Sequence, residues 1–234
     1  MSAARATTGG GLPVPSESGP RWSRQIGRFL AHVVWDTEVL DAHHVPLDGP
    51  VIISANHIGF VDGPLVHGVV PRGTHILVKE EMFRGPVGSV LRAAGQIPVD
   101  RHGGRPALAA GLGVLRRGGA VGIFPEGVRG RGDATQARAG VAWLAVNSGA
   151  PVVPTAVLGT RRTGEAVGHV PGLRRRLVVA FGTPVHLDRA PGVSGRQVVA
   201  EAHEVLRVTL AEHVRATVAR TGLVLPDDAP LGDG

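Results

Sequence analysis

The stretch PVIISANHIGFVDGP, residues 50–64, joins an apolar run, a polar turn and a helix start. The run Pro50 to Ala55 is short and apolar at successive positions, the pattern of a strand buried on both faces of a sheet. Asp62, directly before Gly63 and Pro64, is a favoured helix N-cap with proline in the first turn. His57 and Asp62 are five positions apart, whereas side chains that stack on one helix face are three or four apart. His57 therefore belongs to a loop and Asp62 to the start of the next helix. Spacing alone leaves two readings open, a proton-handling pair or a structural histidine beside a helix cap.

The same alternation continues outward. Short apolar runs at 75–79 (HILVK), 96–100 (QIPVD), 120–125 (AVGIFP), 151–159 (PVVPTAVLG) and Leu177 to Phe181 read as strands. Helical patterns separate or follow them at Pro86 to Ala94, Arg105 to Arg117, Thr135 to Ser148 and Gly195 to Arg220. Strands alternating with helices predict an α/β fold with a mostly parallel central sheet flanked by helices. Ligands of such sheets bind outside the carboxyl ends of the strands. Here those ends deliver Asn56, His57 and Asp62, then Lys79, then Asp100 and Arg101, then Glu126, Arg129 and Arg131.

A chain of 234 residues supports one sizeable core. With 43% hydrophobic residues, 3% aromatic and 35 glycines, that core is built from Val, Leu and Ala with many tight turns. The absence of cysteine excludes disulfides, thiolate nucleophiles and cysteine metal sites. The eleven histidines are scattered, and adjacent His43 and His44 chelate poorly, so neither a metal nor a cofactor is expected. There is no Gly-x-Ser-x-Gly elbow and no phosphate loop, and GLGVLRR at Gly111 lacks the third glycine of a dinucleotide fingerprint.

The net charge of +6 comes mainly from arginine and calls for an anionic partner. Few aromatic residues and no zinc-finger or helix-turn-helix spacing argue against nucleic acid and for anionic lipid or a phosphorylated small molecule. Residues 1–20, rich in Gly, Ser, Thr and Pro, read as a flexible tail without the apolar stretch of a signal peptide, and residues 223–234 as a second tail. Residues 21–40 read as one amphipathic helix, with Trp22, Ile26, Phe29, Leu30, Val33 and Val34 at helical spacing. It is either an interfacial membrane anchor or a helix laid on the core. No apolar run approaches the ~20 residues of a membrane span.

Four ordered blocks carry a family resemblance. NHIGFVD (56–62) is similar to Asn-His-x-Ser-x-x-Asp, with Gly59 where serine is common. GQIPVDR (95–101) matches a second block. FPEGVRGR (124–131) is similar to Phe-Pro-Glu-Gly-Thr-Arg-Ser-Arg, with Val128 and Gly130 departing from it, and VVPT (152–155) supplies the fourth. Together they resemble the glycerolipid acyltransferases related to bacterial lysophosphatidic acid acyltransferase, over roughly Val51 to Pro184.

The resemblance implies an acyltransferase domain over 41–222 that moves an acyl group from acyl-CoA or acyl carrier protein to a lysophospholipid hydroxyl. 1-Acylglycerol-3-phosphate is the expected acceptor, giving phosphatidic acid, at the cytoplasmic membrane face with 21–40 as peripheral anchor. The alternatives are another acceptor (glycerol 3-phosphate, a different lysolipid or a specialised lipid), a non-catalytic lipid-binding protein of the same fold, or a thioesterase using water as acceptor.

Such chemistry needs a base for the hydroxyl, which suits the neutral imidazole of His57, with Asp62 holding its tautomer. The family pattern implies that Arg101, Arg129 and Arg131 contact the acceptor phosphate, and Lys79 is an added candidate. Glu126 would accept a hydrogen bond from a glycerol hydroxyl, orient Arg129 or form an internal salt bridge, while Gly127 permits close backbone approach. Arg161, Arg162 and Arg174 to Arg176 read as solvated surface charges.

Overall fold

The computed structural model describes residues 12–100, 104–127, 131–134, 137–187 and 194–228. Seven strands, β1 (Asp36–Leu40), β2 (Val51–Ala55), β3 (Thr74–Lys79), β4 (Ile97–Val99), β5 (Ala120–Ile123), β6 (Val152–Leu158) and β7 (Arg176–Phe181), form one sheet in the order β1-β7-β6-β2-β5-β3-β4. Every neighbouring pair is parallel except β6 with β7. The central strands β2 and β6 are buried along their whole length, as their unbroken apolar runs require. Side chains alternate across the sheet. Ile53 and Ala55 enter the core beneath α2 (Asp62–Val69), while Ile52 enters the opposite core with α4 (Arg105–Arg116) and α5 (Gly140–Ser148). A third cluster joins β6 and β7 to α6 (Gly195–Thr221), through Ala156, Leu158, Val178, Leu210 and Val214.

The segment expected as one helix over 21–40 divides. The helix α1 spans Ser18–Phe29, a π-helical turn follows over Leu30–Val34, and β1 then pairs with β7. Buried Trp35 makes the break, its Nε1 donating to the Pro171 carbonyl at 3.0 Å. The two expected tails are also packed where they are described. Leu12 lies against the α4 core, and Gly19 and Pro20 are buried. At the other end Leu223 and Leu225 cover the α6 core. Residues 1–11 and 229–234 lie outside the described residues.

Helix α1 is mounted in an unusual sense. Its buried residues are Gly19, Pro20, Ser23 and Gly27, followed by Ala31 in the π turn, a four-residue rhythm of small side chains. Gly27 meets Gly68 of α2 so closely that a Cβ on Gly68 would stand 2.2 Å from the Gly27 carbonyl carbon. Ser23 Oγ and His67 Nε2 lie 2.8 Å apart across the same seam, and Arg24 Nε donates to the Val70 carbonyl at 2.6 Å. The apolar residues Trp22, Ile26, Phe29 and Val33 face outward, 43%, 51%, 56% and 54% exposed. Among the described residues, no helix is long and apolar enough to cross a membrane.

Three of the arginines expected on the open surface are engaged. Arg161 is buried and pairs with Asp228 at 2.9 Å, because the C-terminal segment folds back over it. Arg175 grips Glu165 through both nitrogens at 2.7 and 2.9 Å, and Arg176 pairs with Glu38 of β1 at 2.9 Å.

Candidate active site

The turn after β2 is fixed by its first residue. Buried Asn56 bonds both backbone groups of Val157, accepting from its N–H at 2.7 Å and donating to its carbonyl at 3.1 Å. This ties the end of β2 to β6. The next residue, His57, donates its backbone N–H to Glu126 Oε1 at 3.0 Å. Its ring stacks on Phe124, with centroids 4.4 Å apart.

The His57 imidazole meets the Asp62 carboxylate, Nδ1 to Oδ2, at 2.8 Å. Because an ionised carboxylate only accepts, the proton of this contact sits on Nδ1 and leaves Nε2, on the far edge of the ring, as an acceptor. The His57 side chain is 14% exposed, whereas that of Asp62 is fully enclosed. Asp62 Oδ2 also accepts from the Ile58 and Gly59 amides, each at 2.8 Å, and Oδ1 accepts from Thr160 Oγ1. The carboxylate thus turns back toward the loop and makes no side-chain cap on α2, contrary to the capping reading. Four donors around one enclosed carboxylate leave neither of its buried oxygens without a partner.

Glu126 follows β5, the strand beside β2. Burial is the largest influence on its carboxyl and, with nearby Asp133 and Asp62, pushes it up to about 7 against the pull of the His57 and Gly132 amides. It accepts from the His57 amide, so it shapes the turn that carries the imidazole. Gly127 adopts φ +69°, a conformation that favours glycine, and the space beside its Cα is taken by the Arg138 side chain, whose Nε would lie 2.9 Å from an added Cβ.

Arg131 is exposed and adjoins Gly132, which packs against Ile58 and Asn56 of the same turn. Lys79 ends β3, on the same sheet edge and two strands from β2, a separation of roughly 10 Å at ordinary strand spacing. Arg101 and Arg129 lie outside the described residues. The structure therefore joins His57, Asp62 and Glu126 directly, with Arg131 alongside. Sequence reasoning missed Thr160, Phe124 and Arg138. Thr160 follows β6 much as His57 follows β2, so the strand-end rule points to it as well.

Comparison with known proteins places the chain in a family. The family model described as Acyltransferase matches residues 36–158, more than half of the chain. A 1-acyl-sn-glycerol-3-phosphate acyltransferase of Bacillus subtilis is 28% identical over 178 residues, covering 75% of this chain and 86% of that protein. The protein of the same name from Borreliella burgdorferi is 34% identical over 127 residues, 52% of this chain and 51% of its own. In fold, the chain is similar to the crystal structure of the 1-acyl-sn-glycerophosphate (LPA) acyltransferase PlsC from Thermotoga maritima. The TM-score is 0.64 at 22% identity, over 84% of this chain and 80% of that one. With the described parts of its four sequence blocks gathered at one sheet and the family model spanning most of that sheet, the chain belongs to the acyltransferase family.

Proposed function

We propose that the protein transfers an acyl group from an acyl thioester, acyl-CoA or acyl carrier protein, to the hydroxyl of 1-acylglycerol-3-phosphate, yielding phosphatidic acid. The observation that carries this reading is the His57–Asp62 pair at the carboxyl end of the sheet, with Nδ1 committed to the carboxylate and Nε2 left to accept a proton. His57 Nε2 takes the acceptor hydroxyl proton as its oxygen attacks the thioester carbonyl. The tetrahedral intermediate collapses with cleavage of the C–S bond, and the proton passes from the imidazolium to the departing thiolate. Asp62 holds the tautomer and stabilises the imidazolium, and no acyl-enzyme is involved. Arg131, with Arg101, Arg129 and Lys79, is the proposed phosphate-binding set, since guanidinium groups pair bidentately with phosphate.

The relatives named for 1-acyl-sn-glycerol-3-phosphate support that acceptor over the others. The outward apolar stripe of α1, flanked by exposed Arg21 and Arg28, supports docking of that helix on an anionic bilayer, where acceptor and product reside. The test is thiol release from acyl-CoA across a panel of lysolipids, glycerol 3-phosphate and monoacylglycerol, with phosphatidic acid measured directly. Transfer is expected to be fastest with 1-acylglycerol-3-phosphate and to fall at least about 10³-fold in His57→Ala. Unchanged turnover in that variant defeats the mechanism, and faster transfer to another acceptor replaces the assigned substrate.

A further inference from the structure

The two oxygens of Asp62 are served unequally. Oδ2 accepts from His57 Nδ1 and from the amides of Ile58 and Gly59, while the donor to Oδ1 is the hydroxyl of Thr160. Asp62 and Thr160 are both fully buried. We propose that Thr160 is a positioning residue of the acyl-transfer site, whose hydroxyl fixes the Asp62 carboxylate so that Oδ2 faces His57. This deepens the function proposed above and rests on it.

The mounting of Thr160 suits that task. It lies just beyond β6, the strand to which Asn56 ties the end of β2, so its position is set by the sheet and not by α2. The next residue, Arg161, is locked by its pair with Asp228 and by a bond from Nη1 to the Glu165 carbonyl at 3.1 Å. On the facing side stands Gly59, where the first block departs from its pattern. A Cβ there would lie 3.0 Å from Thr160 Oγ1 and 3.2 Å from its Cβ, so a side chain at 59 would press on the hydroxyl. Glycine at 59 and threonine at 160 fit each other.

Without the hydroxyl, Oδ1 becomes a buried acceptor with no donor among the described residues, which is strongly unfavourable for a charged group. A carboxylate turns easily about its terminal torsion. It would relieve the loss by rotating toward other donors or by binding a proton, and either change weakens its hold on His57. The effect belongs to the chemical step, because Thr160 touches neither the thioester nor the acceptor in this scheme.

The experiment compares Thr160→Val, which keeps the shape and removes the hydroxyl, with Thr160→Ser, which keeps the hydroxyl. In Thr160→Val, kcat is expected to fall about tenfold to a hundredfold. KM for donor and acceptor should stay within about twofold, and the acid limb of the kcat/KM profile should move. Thr160→Ser should recover most of the lost rate. Thr160→Ala repeats the test without conserving shape. Independently of turnover, the His57 Nδ1 proton should give a protected low-field NMR resonance in the parent and in Thr160→Ser, and lose that protection in Thr160→Val. A parent without acyl-transfer activity would defeat the functional reading and leave the NMR comparison to decide the role of Thr160. The proposal is overturned by a Thr160→Val protein with parental kcat and an unchanged Nδ1 resonance, or by one that loses substrate affinity alone.

Discussion

Two regions that meet on α2 break the ordinary rule of burial in opposite ways. At its N-terminus a carboxylate is taken out of water, Asp62 being fully enclosed by four donors. On its flank, α1 puts Trp22, Ile26, Phe29 and Val33 into water and buries glycine, proline and serine. Buried charge and contiguous exposed apolar surface are the informative exceptions in a folded chain. The first is held by hydrogen bonds whose geometry is narrow, as the proposed proton transfer needs. The second is held by close backbone approach, which leaves the large side chains free for a partner.

The mounting of α1 is most vulnerable at the seam between the helices. Gly68→Val would place its Cβ 2.2 Å from the carbonyl carbon of Gly27 and 2.4 Å from its oxygen, and backbone cannot yield as a side-chain tip does. The expected cost is about 4 kcal/mol in chemical denaturation, or detachment of α1 from α2 at a smaller cost. Limited proteolysis within 18–34 separates the two outcomes. A variant with parental stability and an intact α1 would show that the seam is not what mounts the helix.

A milder change tests what the exposed stripe is for. The double substitution Trp22→Ser and Phe29→Ser removes two half-exposed apolar groups without touching the seam. It should leave the unfolding midpoint unchanged within error and lower affinity for anionic vesicles by about 30-fold, or about 2 kcal/mol for two rings entering the acyl boundary. Equal sedimentation of parent and variant with vesicles would remove the membrane reading of α1.

Much of this was legible in the sequence, for a physical reason. Strands buried on both faces carry unbroken apolar runs, so β2, β5 and β6 stand out, and the strand-end rule then leads to His57, Asp62 and Glu126. The edge strand β1 lacks such a run, its DTEVL being mostly exposed or half-buried, so the helical spacing before it seemed to continue. Contacts between distant residues left no local trace. Thr160 is 98 positions from Asp62, and Arg161 is 67 from Asp228. Nor does spacing say which way a carboxylate turns. Asp62 reads as a cap from its neighbours, yet its donors lie behind it.

The smallest expected effect separates the two regions by pH. Burial lowers His67, at the α1 seam, from 6.5 to about 4, and raises Glu126, beneath His57, from 4.5 to about 7. A histidine held neutral in the folded protein contributes stability that is fully present above its unfolded value and is lost as pH falls from 6.5 toward about 4. A carboxyl held protonated contributes stability that is fully present below 4.5 and is lost as pH rises through about 7. The seam therefore weakens toward acid and the turn that carries His57 toward base. Between about pH 6 and about pH 8 the Glu126 contribution amounts to about 1 kcal/mol. Glu126→Gln should flatten the alkaline decline of unfolding free energy and leave the acid decline in place, while His67→Gln should do the reverse. If Glu126→Gln left the alkaline decline unchanged, the carboxyl would be ionised throughout that range. The enclosed charge at the head of α2 would then be shared by two carboxylates, and the His57 amide would be held by an ionised one.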